Sequence, residues 1–266
     1  MALDWCPLQP FGAQVLGDLA APLSSSDEDL LRSLLRDHGL ILARGQALSM
    51  ERQRELCSLF GPILDRDGET GIMSNEAGGY SASELNWHAD AAYTPYPFDA
   101  LALHALDVVD SASSTAFVSA EAGWASLPAD LRAQLAGRDQ AMVSPHYTRL
   151  AQYTCDTRDP PAMKRGIMPA VHLNPRTGRE VLWTSAMQTE RLQGLDWEVS
   201  RDLLHAVYAH LYAEERVLEH RWCTGDLIVW DNIALQHRRG SVAKVGKRVL
   251  QRVIVGTQGV APHVSG

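Results

Sequence analysis

The apolar positions of this chain change period several times, and each change predicts an element. Leu30, Leu31, Leu34 and Leu35 recur at helical spacing behind Ser26, a candidate cap, with Asp27, Glu28 and Asp29 in the first turn, where negative charge is favourable. Gly39 stands where a left-handed residue would end that helix. Leu40-Ile41-Leu42 reads as a short buried strand. Ser49 opens a second helix, with Leu56, Leu59 and Phe60 on its apolar side and Gly61-Pro62 closing it. From 65 to 84 the pattern dissolves into Gly, Ser, Asp and Glu, which predicts a long polar loop of the functional kind. Residues 100–109 read as a strand, and 121–137 as helical pieces restarted at Pro128. The stretch 144–168, broken by Pro145, Pro160 and Pro161, is a candidate lid. A hairpin is expected over 171–183 around Asn174-Pro175-Arg176-Thr177-Gly178, and a long helix over 196–216, where Leu203, Leu204, Val207 and Leu211 recur. Residues 217–256 are strand-rich. Short strands with helices gathered apart from them predict an α+β chain on a β-sandwich or barrel, and no fixed-period repeat suggests a solenoid.

Composition narrows the class. A chain of 266 residues can bury a sizeable core, and 1–266 is read as one domain, with 65–84 and 144–168 as active-site loops. Its net charge of −8 argues against a nucleic-acid binder, which needs a basic face for phosphates. The hydrophobic share of 45% and charged share of 21% are those of an ordinary globular chain, which argues against disorder. No apolar run is long enough to span a bilayer, and Asp4 with no basic stretch before it argues against a secretory leader. Cys6, Cys57, Cys155 and Cys223 form no C-x-x-C pair and are read as reduced structural thiols of a cytoplasmic protein.

Eight of the ten histidines carry no ligand pattern. His38 sits at a helix end, His205, His210 and His220 fall on helix or strand surfaces, and His104, His146, His172 and His263 have no partner motif. His88 differs. In Asn86-Trp87-His88-Ala89-Asp90, positions two apart on a strand share a face, so the imidazole of His88 and the carboxylate of Asp90 can converge on one ion. One such pair arises by chance about as often as not, as with any short motif. The C-terminal block alters those odds. Gly225-Asp226-Leu227-Ile228-Val229-Trp230-Asp231-Asn232 runs toward Gln236-His237, and Arg248 and Arg252 follow eleven and fifteen residues after that histidine. On a strand, Arg248, Leu250, Arg252 and Ile254 share one face, with Val249, Val253 and Val255 on the other. Burying both guanidiniums unpaired would be costly, so anionic partners are expected.

This arrangement resembles the taurine dioxygenase (TauD/TfdA-like) family of iron(II)/2-oxoglutarate-dependent oxygenases. The resemblance rests on His88-x-Asp90, the distant His237, and arginines eleven and fifteen residues beyond it. Leu40 to Gln46 followed by Phe60-Gly61-Pro62, and Trp230-Asp231-Asn232, are similar to further family blocks. The resemblance implies a double-stranded β-helix (jelly roll) with flanking helices, and Fe(II), 2-oxoglutarate and O2 as cofactor and cosubstrates. His88, Asp90 and His237 would bind the metal, with no further catalytic side chain. Arg248 and Thr115 would hold 2-oxoglutarate. Arg252 would meet either its C1 end or an anionic substrate. Three features depart from the family: Ser113-Ser114 replaces a glycine pair before Thr115, Ile233 follows Asp231-Asn232 where arginine is common, and Glu84 stands where taurine enzymes carry a substrate asparagine.

The expected activity is oxidation, by default hydroxylation, of a C–H bond in a small zwitterionic or anionic molecule, with release of succinate and CO2. Glu84, Tyr93, Trp183 and Arg252 are the candidate substrate contacts. Desaturation or cyclisation in a biosynthetic pathway would use the same ligands, whereas halogenation is disfavoured by the presence of Asp90. A silent jelly-roll binder and a zinc hydrolase are rivals, and the second leaves Arg248 and Arg252 unexplained. The expected partner is a small molecule, with no nucleic acid and no membrane; self-association into a homo-oligomer stays open.

Overall fold

The computed structural model describes residues 2–64, 70–75, 83–143 and 165–257. Its first helix, α1 (Ser25–His38), is capped by Ser24, two residues before the expected Ser26. Asp27 reaches back to the Ser24 N–H while the Ser24 hydroxyl accepts from the Asp27 N–H, a reciprocal box that makes Asp27 a cap partner as well as a first-turn charge. Gly39 ends the helix at φ 73, and α2 (Met50–Ser58) starts behind Ser49.

Seven strands form the larger sheet, in the order β1 (Asp4–Pro7), β2 (Ala13–Leu16), β3 (Leu40–Ala43), β14 (Leu227–Asp231), β6 (Ala100–Val108), β16 (Arg248–Val255) and β4 (Gly71–Ser74). Four more form a second sheet, β13 (Leu218–Arg221), β7 (Ser114–Ser119), β15 (Leu235–Arg239) and β5 (Leu85–His88). One apolar cluster joins their facing sides, with Leu101, Leu103, Ile228, Trp230, Leu250 and Ile254 from the larger sheet against Phe117, Leu218 and Leu235 from the smaller. The alternation expected of β16 is present. Leu250 and Ile254 turn into this inter-sheet core, while Val253 and Val255 pack outward with Leu31, Leu35 and Leu56 of α1 and α2. Each fully buried aliphatic side chain contributes on the order of 1.5–3 kcal/mol.

The outer side of the smaller sheet carries its own core. Trp87 and Val118 pack there with Trp124 of α3 (Ala120–Ala125), Leu135 of α4 (Ala129–Leu135) and Leu203, Val207 and Leu211 of α5 (Trp197–Leu211). The expected hairpin is β10 (Val171–Leu173) with β11 (Glu180–Leu182), and a three-stranded sheet of β12 (Thr189–Leu192), β8 (Asp139–Val143) and β9 (Arg165–Pro169) completes the described part.

Two corrections concern the expected loops. Within 65–84, Gly71–Ser74 is strand β4, held to β16 as an edge strand by its backbone, with Ile72 56% exposed. An edge strand needs ladder hydrogen bonds more than an apolar pattern, and Gly71-Ile72-Met73-Ser74 is too short to show an alternation of its own. Within 144–168, residues 165–169 are β9, and the remainder of the candidate lid lies outside the described residues. No helix among the described residues is long and apolar enough to cross a membrane.

Candidate active site

His237 stands in the middle of β15 opposite His88, the last residue of β5, with ring centroids 4.2 Å apart. Alternation along β15 orients it. Gln236 faces outward, with its amide donating to the Thr184 carbonyl, and Arg238 lies over the Trp87 ring at 4.9 Å; Leu235, His237 and Arg239 face the inter-sheet space.

Asp90 reaches the same point by a different route from the one the His-x-Asp spacing suggests. The strand stops at His88, and Asp90 lies in the following turn, ahead of Ala91 at φ 59. A left-handed alanine costs roughly 1–2 kcal/mol and needs support. Two side-chain amides supply it by standing in for a ladder partner. Gln188 donates to the Ala89 carbonyl at 2.8 Å and accepts from the Ala89 N–H at 3.4 Å. Asn232 accepts from the Asp90 N–H and donates to the Asp90 carbonyl, both at 2.9 Å. At about 1 kcal/mol net for each hydrogen bond, this grip offsets the strain. Asn232 belongs to a block the sequence singled out, but its role did not show there; Gln188 was missed, since its partner is backbone 99 residues away.

The result is a convergent donor set. His88 Nε2 lies 3.2 Å and His237 Nε2 3.8 Å from Asp90 Oδ1, and the three ligand atoms all fall within 4.8 Å of one another. The 2.7 Å contact from His88 Nδ1 to the Asn86 carbonyl fits a proton on Nδ1, which leaves the Nε2 lone pair facing the site. Burial, with the charges of His88, Arg252 and Arg239, presses His237 down to about 3 against the pull of Asp90. Burial alone would raise the Asp90 carboxyl, but the two flanking imidazoles, whenever protonated, and the charge of Arg252 hold it well below the usual carboxylate range. Neutral imidazole and ionised carboxylate are the states a divalent metal requires, and this donor set suits Fe(II) while leaving positions open.

Arg248 is 5% exposed, and its Nε has no hydrogen-bond partner among the described residues. Burial, and secondarily the charge of Arg239, lowers it to about 10, so it stays a cation at neutral pH. It pairs with Val108 at the end of β6, and Thr115 lies close to the start of the next strand, β7. Thr115 Oγ1 accepts from the Trp222 indole N–H at 3.0 Å, which leaves the hydroxyl proton to donate elsewhere. The expected pair thus faces one interior, with Trp222 an addition that its sequence position did not reveal. Arg252 also lies near the metal residues, as its charge acts on both Asp90 and His237.

The substrate candidates are more dispersed. Glu84 is exposed ahead of β5, and the register there slips, so that Leu85 rather than Asn86 faces Arg239. Tyr93 and Trp183 are buried together in the core behind the metal strand, and the Trp183 indole donates to the Ala92 carbonyl at 3.1 Å. Arg239 was not singled out, although the spacing rule applied to His88-x-Asp90 applies equally to His237-x-Arg239. Among the supposed surface histidines, His220 is in fact buried, with Nε2 3.0 Å from Asp226.

These features bring three possible metal ligands and two cations to one interior, and comparison with known proteins supplies the lineage of the chain. Residues 6–254 match the model of the Taurine catabolism dioxygenase TauD, TfdA family, so the chain belongs to that family. It is 27% identical to the alpha-ketoglutarate-dependent 2,4-dichlorophenoxyacetate dioxygenase of Cupriavidus pinatubonensis, over 92% of this chain and 95% of that protein. The (S)-phenoxypropionate/alpha-ketoglutarate-dioxygenase of Sphingobium herbicidovorans is 26% identical over 94% and 93%, and the pentalenolactone F synthase of Streptomyces avermitilis 25% over 86% and 77%. The same fold occurs in AAD-2, solved with Mn(II) and N-oxalylglycine (TM-score 0.81, 23% identity, covering 98% of this chain and 99% of that one). It also occurs in a taurine dioxygenase from Burkholderia xenovorans (TM-score 0.80, 22% identity, covering 97% and 92%). The protein is accordingly an alpha-ketoglutarate-dependent dioxygenase that uses Fe(II), 2-oxoglutarate and O2.

Proposed function

We propose that this enzyme oxidises a C–H bond of a small organic anion, with hydroxylation as the outcome and succinate and CO2 as coproducts. The observation that carries the reading is the convergence of the His88, Asp90 and His237 ligand atoms within 4.8 Å beside guanidiniums on the same interior. Residues 1–266 would form one domain, and the two facing sheets its double-stranded β-helix.

The three ligands would hold Fe(II), which when bound supplies the O2 activation coupled to 2-oxoglutarate decarboxylation. The remaining steps belong to this chain. Arg248 binds the distal carboxylate of 2-oxoglutarate through its fork, and Thr115, its lone pair already engaged by Trp222, donates its proton to the same group. Gln188 and Asn232 hold the Ala89 and Asp90 backbone, so that the Asp90 carboxylate stays aimed at the metal position. Arg252 sits where it can draw an anionic end of the substrate toward the metal residues. Tyr93 and Trp183 stand behind the metal turn as an apolar wall that keeps water from that side.

Of the zwitterionic and anionic classes, the anionic one fits better, because Glu84 is exposed ahead of β5 while the charge of Arg252 acts on Asp90 and His237. Two relatives are named for aryloxyalkanoates, which are anions of this kind. A panel of matched organic anions, zwitterions and amines tests the reading through substrate-stimulated succinate formation. Stimulation by anions is expected. Stimulation confined to amines or neutral molecules would refute the substrate class while leaving the cofactor chemistry in place.

A further inference from the structure

We propose that Tyr212 is a positioning residue for the metal centre, its phenol tying together the segments that carry His88, His237 and the grip on Asp90. The inference rests on the metal reading above and extends it to a residue that neither the motif spacing nor the family resemblance assigned.

The two histidines need something besides their ladder to hold them in register. β5 has four residues at the edge of its sheet, and it pairs with β15 through His88 with His237 and Leu85 with Arg239, with a slip between the two pairs. So short and interrupted a pairing specifies register weakly by itself. The contacts that can fix it lie on the outward face of the sheet. There Trp87, beside His88, and Gln236, beside His237, are both buried.

Tyr212 follows the last turn of α5, with its N–H donating to the Tyr208 carbonyl at 2.9 Å. Its ring stacks on the Trp87 indole, with centroids 4.9 Å apart and planes inclined by 7°. Its hydroxyl donates to Gln236 Oε1 at 2.7 Å and accepts from the Ala186 N–H at 3.2 Å. The direction of these bonds is forced. The Gln236 amide nitrogen faces the carbonyls of Leu182 and Thr184, at 3.3 and 2.7 Å, so its oxygen is left to accept and the phenol must donate. The third segment continues from Ala186 to Met187, whose N–H donates to the Trp87 carbonyl at 3.0 Å, and to Gln188, which holds Ala89 beside Asp90. One side chain thus meets the neighbours of both histidines and the turn that steadies the carboxylate. Without its hydroxyl, the Gln236 oxygen and the Ala186 N–H would lose their partner while the ring stayed in place. Metal affinity depends steeply on how well the ligands are aimed beforehand, so the loss should appear there out of proportion to stability.

The test compares neighbouring residues at one helix end. Metal-free protein is titrated with Fe(II) against a competing chelator and with Mn(II) followed by electron paramagnetic resonance, and thermal melts of the metal-free protein follow the fold. Tyr212→Phe keeps the ring and should weaken both metals about tenfold. Tyr212→Leu, which also removes the stack, should weaken them further. Leu211→Ala opens a cavity in the same outer core; it should lower the melting temperature more than Tyr212→Phe does, yet leave both affinities within about twofold. Unchanged metal affinity in Tyr212→Phe would overturn the proposal, whether or not Tyr212→Leu folds. A loss in Leu211→Ala as large as that in Tyr212→Phe would overturn it too, because any loosening of the outer core would then suffice. A wild-type protein that binds neither metal would instead refute the metal reading itself.

Discussion

Two carboxylates in this molecule, the buried Asp226 and the partly exposed Asp90, each touch a histidine, and only Asp90 stands in a convergent cluster of possible metal ligands. Asp226, just ahead of β14, accepts from Arg44 at 2.9 Å and from the Cys223 N–H at 2.9 Å, with His220 Nε2 3.0 Å away. Burial opposes its ionisation, but those hydrogen bonds and charges lower its pKa nonetheless. Its donors close around it and leave no shared point for an ion. Asp90 has two histidines instead, and all three ligand atoms turn toward one space; among the described residues they are the one group of this kind. The comparison shows that a His–Asp contact alone does not mark a metal centre. What marks it is that lone pairs converge while the backbone behind them is held by other residues.

The sharpest way to break this comparison is to remove each carboxylate in turn. Asp90→Ala should abolish stoichiometric Fe(II) binding and coupled succinate formation while the melting temperature changes little. Asp226→Ala should retain the metal but cost about 3 kcal/mol of stability, as expected when a buried charge network loses its anion. Metal analysis and thermal melts on both variants separate the two roles; metal retention in Asp90→Ala would equate the sites. Asn232→Ala tests the backbone grip. Support of this kind commonly governs metal affinity by about 10–100-fold, so Fe(II) affinity should fall by that order in a competition titration, with His88 and His237 untouched. Arg248→Lys keeps the charge and loses the fork, and 2-oxoglutarate affinity should fall by about 2 kcal/mol, roughly thirtyfold. An unchanged titration would mean that Arg248 has another partner.

The smallest effect is on acid stability. His237 falls from 6.5 to about 3 on folding, so in that interval the unfolded chain takes up a proton that the folded chain refuses. Stability of the metal-free protein should therefore rise with pH from about 3 to 6.5 and be lost as pH falls through that window. The lowered Asp90 acts in the same direction below the carboxylate range. Denaturant titrations of the metal-free protein at several pH values should show a shallower slope in His237→Gln; an equal slope would assign the acid sensitivity to other groups.

Much of the frame was legible in the sequence because it depends on residues near one another or on strand alternation. Gly39, Ser49, the hairpin turn and the two faces of β16 follow from local chemistry. The convergence of the three candidate ligands was legible through family spacing, since no periodicity relates His237 to His88. What stayed hidden is contact across long separations. Ser24 displaced Ser26 because Asp27 turns backward, β4 with its four residues is too short to show an alternation, and Gln188 and Trp222 act on partners 99 and 107 residues away. Asp90 shows the limit most plainly: its spacing from His88 suggested a strand pair, but a left-handed Ala91 and two amides place it.

The central claim, that Asp90 with His88 and His237 forms the metal centre of a 2-oxoglutarate-dependent dioxygenase, has one direct measurement. Fe(II) and 2-oxoglutarate added anaerobically to the metal-free protein should produce a visible charge-transfer band at one equivalent of metal. The band should persist in Asp226→Ala and vanish in Asp90→Ala. No band in the wild-type protein, or a band of equal strength in Asp90→Ala, would contradict the account.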